Sequence, residues 1–453
     1  MTGVPTTART RADACPGVVS PHLAADGALA RVRLPGGRIT AAALRAVAAL
    51  AGAAGDGAVH LTSRGNLQLR GLDPGDPRPV RELAAAGLLP SVTHERVRNV
   101  LASPLSGITG GLADVRGLAA ALDRGLCARP ELAALPGRFL IAFDDGRGDV
   151  AGERPDLCWV AVSVTAGELV VAGTGTGLHC APGDAPDLLL DAAAAFLELR
   201  DTHTADPAAR AWRAAELPDA ARRLADTLSG PHRASRTGGA RHPDATRDGT
   251  GVGEHGHGRV GELGGGALGV APVLGELSVA QLEVLAGHAP ELLVTPWRTL
   301  VLPGPHPDAR TARTARTART ALRDAGLVVD PGHPALRVSA CAGTPGCAKS
   351  LADVRGDARA LLRAGDTATV HVSGCARRCG APHTPHTDAV ATGPGAYLRD
   401  GTGSAHPLPL ITRHDGPDGP TPPPLPRAAT PPCGCPPADP APPTPHDRPR
   451  SHR

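Results

Sequence analysis

A chain of 453 residues with ten cysteines and 41% apolar residues is long enough for two to four domains with apolar cores. Its formal charge of +3 and its 2% aromatic content exclude nucleic acid as the main partner, since neither a basic face nor a base-stacking platform is indicated. The start, MTGVPTTARTRADACPG, has no apolar stretch and no later run reaches 18 apolar residues, so neither a signal peptide nor a membrane span is expected. A cytoplasmic protein follows as the expectation, its cysteines being thiols or metal ligands rather than bridges.

In chain order, Ala28–Gly37 reads as a strand ending in a Pro-Gly turn, and Thr40 caps the helix TAAALRAVAALAGAAG. Val59, Leu61, Leu67 and Leu69 alternate around a Ser63–Asn66 break and predict two strands. RVRNV (96–100) leads through a Gly- and Ser-rich loop to a helix over 112–126; a strand over 138–143 and a hairpin made of WVAVSV and ELVVAG follow. Gly173–Cys180 reads as a glycine-rich turn before the helix DLLLDAAAAFLELRDT, without the full dinucleotide or phosphate-loop pattern. Residues 229–266 read as a linker, the Ala-Arg-Thr repeat at 308–323 as a solvated insertion, and 401–453 as a Pro-rich disordered tail containing Cys433 and Cys435.

An internal repeat sets the architecture. RNVLASPLSGITGGLADVRG from Arg98 aligns without a gap on RVSACAGTPGCAKSLADVRG from Arg337, and GGRITAAALRAVAAL from Gly36 resembles LGELSVAQLEVLAGH from Leu274 at almost the same offset. HLTSRGNLQLRG and LVTPWRTLVLPG match after a small gap, so the chain is two copies of one module. Ala102 and Ile108 stand where the second copy has Cys341 and Cys347. The second copy therefore carries Cys341, Cys347, Cys375 and Cys379 as C-x5-C and C-x3-C pairs, a set of soft donors for an iron–sulfur cluster or, as the plainer alternative, structural zinc. Arg377 and Arg378 are expected to lower the thiolate pKa values there. The first copy offers Arg31, Arg33, Arg64, Arg70, Arg98 and Arg138, whose forks suit carboxylates. His383, His386 and Asp388 form a two-histidine, one-carboxylate run suited to mononuclear iron. His60, His94 and His179 read as ordinary histidines, and Cys15, Cys127, Cys158 and Cys180 as core residues.

RLPGG, TSRGNLQLRG, RNV and the two cysteine pairs, in that order, resemble the nitrite and sulfite reductase superfamily. The resemblance implies an α+β fold of duplicated modules with pseudo-two-fold symmetry, each a ferredoxin-like half-domain plus an α/β lobe. The implied divisions are 1–85 and 86–228 for the first copy, 229–266 for the linker, 267–335 and 336–400 for the second copy, and 401–453 for the tail. It implies a 4Fe-4S cluster on Cys341, Cys347, Cys375 and Cys379. CPGVVSPHLAADGALARVRLPGG, VTPWRTLVLPG and VHVSGCARRCG resemble, within the superfamily, the precorrin-3B synthase family. That likeness implies an O2-dependent monooxygenase acting on precorrin-3A in cobalamin biosynthesis, with a mononuclear non-haem iron and with NADH, directly or through an electron-donor protein, as electron source. Arg33, Arg64, Arg98 and Arg138, with Asn66 and Gln68 supporting the loop, then face a tetrapyrrole. Leu140 occupies the place of a lysine in the sulfite-reducing pocket, which disfavours a small dianion. The alternatives are a sirohaem- and 4Fe-4S-dependent nitrite or sulfite reductase and a zinc-stapled scaffold without catalysis.

Overall fold

The structure is a computed structural model that describes residues 13, 15–204, 206, 209–229, 260–304, 309–365, 368–399 and 405–407. In the first copy β1 (His22–Ala24) and β2 (Gly27–Val32) form a hairpin, and β3 (Arg38–Thr40) leads into α1 (Ala41–Ala54), where the Thr40 hydroxyl accepts the Ala43 N–H at 3.2 Å. β4 (Ala58–Leu61), β5 (Leu67–Leu72) and α2 (Arg78–Ala85) complete the ferredoxin-like part. The lobe after it contains β6 (Val100–Ala102), α3 (Leu118–Cys127), β7 (Ile141–Asp144), β8 (Leu157–Ala161), β9 (Gly167–Val171), β10 (Thr174–Cys180), α4 (Ala185–His203) and α5 (Ala220–Leu228).

The second copy repeats the plan. β11 (Gly261–Glu262), β12 (Leu268–Val270), β13 (Glu276–Ser278), α6 (Val279–His288), β14 (Glu291–Val294), β15 (Leu300–Leu302) and α7 (Ala309–Asp324) mirror the first ferredoxin-like part. β16 (Val338–Ala340), α8 (Val354–Arg363), β17 (Val370–Ser373), β18 (Thr387–Gly393), β19 (Ala396–Arg399) and β20 (Ala405–Pro407) mirror the first lobe. Both lobe sheets run in sequence order, two parallel pairings followed by two antiparallel ones.

The ferredoxin-like sheets exchange a strand. One has the order β1-β2-β5-β4-β13 and the other β11-β12-β15-β14-β3, so each copy lends the strand before its first long helix to its twin. The registers are equivalent: Glu276 opposes His60 where β13 meets β4, and Arg38 opposes Leu293 where β3 meets β14. A single apolar core covers the apolar faces of both sheets, with Leu44, Val47 and Leu67 of one copy buried alongside Leu282, Leu285 and Leu300 of the other. The fold is the duplicated α+β module expected.

Several local expectations change. Gly173–Cys180 is not a turn: from Thr174 it forms edge strand β10, paired antiparallel with β9. The helix expected from Leu112 begins only at Leu118. The Ala-Arg-Thr repeat is no solvated insertion but helix α7, the counterpart of α2, because Ala318 and Leu322, four residues apart on one helix face, are both buried. β11 falls inside the stretch read as a linker and β20 inside the stretch read as a tail, while residues 230–259 and 408–453, Cys433 and Cys435 among them, lie outside the described residues. Among the described residues no helix is long and apolar enough to cross a membrane.

Candidate functional site

Strand alternation builds the site on one sheet face. Ala30, Val32, Leu67 and Leu69 point into the core, so Arg31, Arg33, Gln68 and Arg70 lie on the opposite face, with Arg31 directly across from Gln68. The β4–β5 turn is held by the Thr62 hydroxyl, which accepts the Asn66 N–H (3.1 Å), and by Asn66 Oδ1, which accepts the Leu34 N–H (2.8 Å). Gly65 sits at φ +62° with the Val294 carbonyl 2.9 Å from where a Cβ would stand, so no larger residue fits. This turn presents Arg64.

Arg31, Arg33 and Arg64 have no carboxylate partner among the described residues. Arg31 Nη1 and Arg33 Nη2 both donate to Cys15 Sγ at 3.6 Å, and Arg33 Nη2 also donates to the carbonyls of Pro16 (3.3 Å) and Arg96 (3.1 Å). Arg31 Nε and Arg33 Nε and Nη1 are buried without a hydrogen bond. Burial, with the neighbouring Arg31 charge behind it, pushes the Arg33 guanidinium down to about 9, and burial pushes that of Arg64 down to about 10. Cys15 is thus a half-buried sulfur among guanidiniums, not the core residue expected.

Two of the arginines expected at the site do other work. Arg98 is buried and makes a bidentate pair with Asp123 (2.7 and 2.8 Å), so its fork is filled by α3. Arg138 is exposed and lies 5.4 Å from the Trp212 ring centroid. Leu140 is buried and lines a cleft of about 690 Å³. Arg64, Glu153, Arg154, Asp156 and Arg213 share that cleft with His383 of the second lobe, so it lies between the copies. Asp156 is held by Arg213 (2.8 Å) and by the Leu140 and Ala214 N–H groups, and burial outweighs these partners in raising its pKa.

The four cysteines come together. None is in a disulfide. Burial first, and then the charges of Cys341 and Cys375, raises the Cys379 thiol; Arg377 offsets this only in part, so the expected lowering is not the net result. Gly374 N–H donates to Cys341 Sγ at 3.3 Å. Among the described residues the only three His, Cys, Asp or Glu donors within 4.8 Å of one another are Asp144, Asp145 and Asp149. No three of the four sulfurs therefore lie within 4.8 Å of one another, whereas ~2.3 Å Zn–S bonds to a tetrahedral ion impose ~3.8 Å separations. Such a set fits a cluster with several iron corners better than zinc. Two arginines hold the cysteine loops, Arg70 of the first-copy set and Arg298, which the sequence did not single out. Arg70, paired with Asp26 (2.8 Å), donates to the Gly346 carbonyl (2.6 Å), and Arg298 donates to the Gly380 carbonyl (2.7 Å).

The expected mononuclear iron ligands do not converge. His386 Nε2 lies 3.4 Å from Asp388 Oδ1, but Asp388 is also paired with Arg378 (2.9 Å), and His383 turns to the cleft, 3.9 Å from Glu153. His371, not His383, neighbours His386, their ring centroids 6.0 Å apart. His371 is fully buried, its Nδ1 bonded to Ser339 Oγ (2.8 Å), and burial pushes its pKa down to about 4. His383, His386 and Asp388 thus do not gather around one point.

The model of the nitrite/sulfite reductase ferredoxin-like half domain matches residues 22–87. A precorrin-3B synthase of a Sinorhizobium species is 27% identical over 418 residues, which cover 89% of this chain and 86% of the relative. Residues 22–87 thus carry a nitrite/sulfite reductase ferredoxin-like half domain, and most of the chain is similar to a precorrin-3B synthase. A ferredoxin–nitrite reductase of Synechococcus elongatus is 38% identical over 140 residues, only 29% of this chain and 27% of that one. The solved structure of the Mycobacterium tuberculosis NirA protein covers 83% of the chain, and the chain 72% of it, with a TM-score of 0.65 at 22% identity, a likeness of fold.

Proposed function

We propose that the chain is a precorrin-3B synthase-like monooxygenase, hydroxylating precorrin-3A with O2 in cobalamin biosynthesis. The observation that carries this reading is the extent of the likeness: the precorrin-3B synthase runs alongside 89% of the chain, whereas the nitrite reductase matches stop at 29%. The site is consistent with it. Arg31, Arg33 and Arg64 have no carboxylate partner among the described residues and suit the carboxylate arms of a tetrapyrrole, and Leu140 gives the neighbouring cleft, where Arg64, Arg154 and Arg213 stand with Glu153 and Asp156, an apolar wall. Cys341, Cys347, Cys375 and Cys379 would hold a 4Fe-4S cluster, which supplies electrons one at a time when bound. Gly374 N–H on Cys341 would tune its potential, and Arg70 and Arg298 would fix the loops around it. Precorrin-3A, NADH or a donor protein, and a further iron remain part of the reading by likeness alone.

The test is a single-turnover assay. Anaerobically purified, cluster-replete protein is mixed with precorrin-3A, a reductant and then O2, and the pigment is analysed by mass spectrometry. A product heavier by one oxygen atom is expected. Its absence counts against the monooxygenase, sirohaem co-purifying with the protein favours the reductase reading, and stoichiometric zinc with little iron or sulfide removes both enzymatic readings.

A further inference from the structure

Cys15 has surroundings that no other cysteine of the described residues shares. Its segment is clamped to the first lobe: Asp13 accepts the Cys15 N–H (3.0 Å) and the Gly137 N–H, and Cys15 Sγ donates to the Gly137 carbonyl (3.0 Å). A Cβ on Gly137 would stand 2.6 Å from Cys15 Cβ, so a glycine is required for this approach. The other side of the sulfur faces Arg31 Nη1 and Arg33 Nη2, each at 3.6 Å. Arg33 is 2% exposed and aimed at the sulfur, yet its Nε and Nη1 have no hydrogen-bond partner among the described residues. Buried guanidinium N–H groups left open in this way call for an anion with more than one oxygen or lone pair. Cys15 also lines a second cleft, of about 360 Å³, with Ser20, His22 and Arg96, so a small reagent has a path to it.

We propose that Cys15 is a peroxide-oxidised modification site, and that its oxidised, anionic form occupies the Arg31–Arg33–Arg64 cluster and closes it to other anions. The Cys15 thiolate attacks one oxygen of hydrogen peroxide; the S–O bond forms as the O–O bond breaks, and the leaving hydroxide takes up a proton to become water. Sulfur is oxidised by two electrons as peroxide is reduced, and the sulfenic acid loses its proton to give a sulfenate among the guanidiniums. The other thiols of the first copy make a contrast. Burial raises the pKa of Cys127, pushes that of Cys180 up to about 11 and that of Cys158 well above the ordinary range, which suppresses the nucleophilic form. The closing of the cluster rests on the reading above, in which these arginines receive carboxylates; the oxidation itself does not.

The test uses the full-length, cluster-loaded protein with limiting hydrogen peroxide and dimedone as the sulfenate trap, read by peptide mass spectrometry. Labelling at Cys15 should be about tenfold faster than at Cys127, and Arg33→Met should slow it about tenfold without altering Cys127. Arg31→Gln, at a less buried position, serves as a second variant against misfolding. Equal rates at Cys15 and Cys127, or a Cys15 rate that neither variant lowers, overturn the proposal. In a second arm, a porphyrin octacarboxylate is titrated by absorbance. Peroxide treatment should weaken its binding at least about fivefold in the unaltered protein and leave Cys15→Ser unaffected. Binding unchanged by oxidation overturns the closing of the cluster. Failure of the reduced protein to bind the porphyrin refutes the carboxylate reading instead, and the trapping rates still decide the oxidation.

Discussion

Arg33 is charged, buried and without a carboxylate among the described residues, an arrangement that costs folding stability. Its pKa, pushed down to about 9 from 12.5, means that the unfolded chain binds more protons between those values. Stability should therefore rise with pH across that window, and below pH 9 the whole cost is carried. Arg33→Met should raise the melting temperature near pH 8 by a few degrees while abolishing the further stabilisation given by a polycarboxylate. Thermal melts with and without porphyrin octacarboxylate measure both; a lower melting temperature in the variant would mean that the bonds to Pro16 and Arg96 outweigh the cost. Arg98 makes the opposite case. Its charge is paired inside the protein, so Asp123→Ala should cost about 3–5 kcal/mol in urea unfolding by leaving a buried guanidinium alone. Sequence showed both as arginines near strand ends. It could not show which had a carboxylate, because Asp123 reaches Arg98 only once α3 packs beside β6. The four cysteines were legible because paired soft donors carry a spacing signal. Cys15 was not, because a single thiol has none, and its importance comes from Arg31 and Arg33 folding over it.

The repeated elements also repeat their strained turns, with different residues. Gly36 (φ +68°) and Gly37 (φ +74°) lead into β3, and Leu274 (φ +55°) and Gly275 (φ +69°) lead into β13. Gly65 (φ +62°) closes the β4–β5 turn, and Arg298 (φ +57°) closes its twin between β14 and β15. In both, the residue's N–H donates to a threonine carbonyl three positions back, Thr62 in one and Thr295 in the other. A non-glycine residue in the left-handed region costs on the order of 1 kcal/mol and is retained where its side chain has a task. At position 298 that task is the bond to Gly380, next to Cys379. Arg298→Gly should leave thermal stability equal or up to about 1 kcal/mol higher, yet make the bound cluster bleach faster in air. Absorbance decay near the cluster band measures this, and an unchanged decay rate removes Arg298 from the support of the site. Strands and long helices were legible from alternation and capping, as at Thr40. The aligned segments already set Gly65 opposite Arg298, but not that an arginine there takes the same left-handed turn, and α7 was hidden by a three-residue repeat that resembles low complexity more than it resembles α2.

The duplication was legible in the whole chain because two matches share nearly one offset, but the exchange of β3 and β13 was not. Register is set by an apolar face and by turn geometry, and both are satisfied whether a three-residue strand joins its own sheet or its twin's. The left-handed turns before β3 and β13 decide it by sending each strand across the pseudo-two-fold axis. A Cβ on Gly37 would stand 2.1 Å from the Val294 carbonyl, which shows how closely the first crossing passes over β14. The crossing strand is then fixed at its start by the Arg38–Glu291 pair (2.6 and 2.5 Å) and at its end by the Ala41 N–H on the Pro290 carbonyl (2.8 Å). Since each sheet is completed by the other copy and both cover one core, neither half has a closed sheet alone. A protease site placed within residues 230–259 and cut in the folded protein should therefore leave both fragments as one species in gel filtration, active and melting in a single transition. The fragments should separate only in denaturant. The amino-terminal fragment made alone, lacking β13 beside β4, should expose an edge strand and aggregate. Fragments that part under native conditions would show that the exchanged strands contribute little to holding the copies together, and that the cleft between Arg64 and His383 is kept in shape by the chain connection instead.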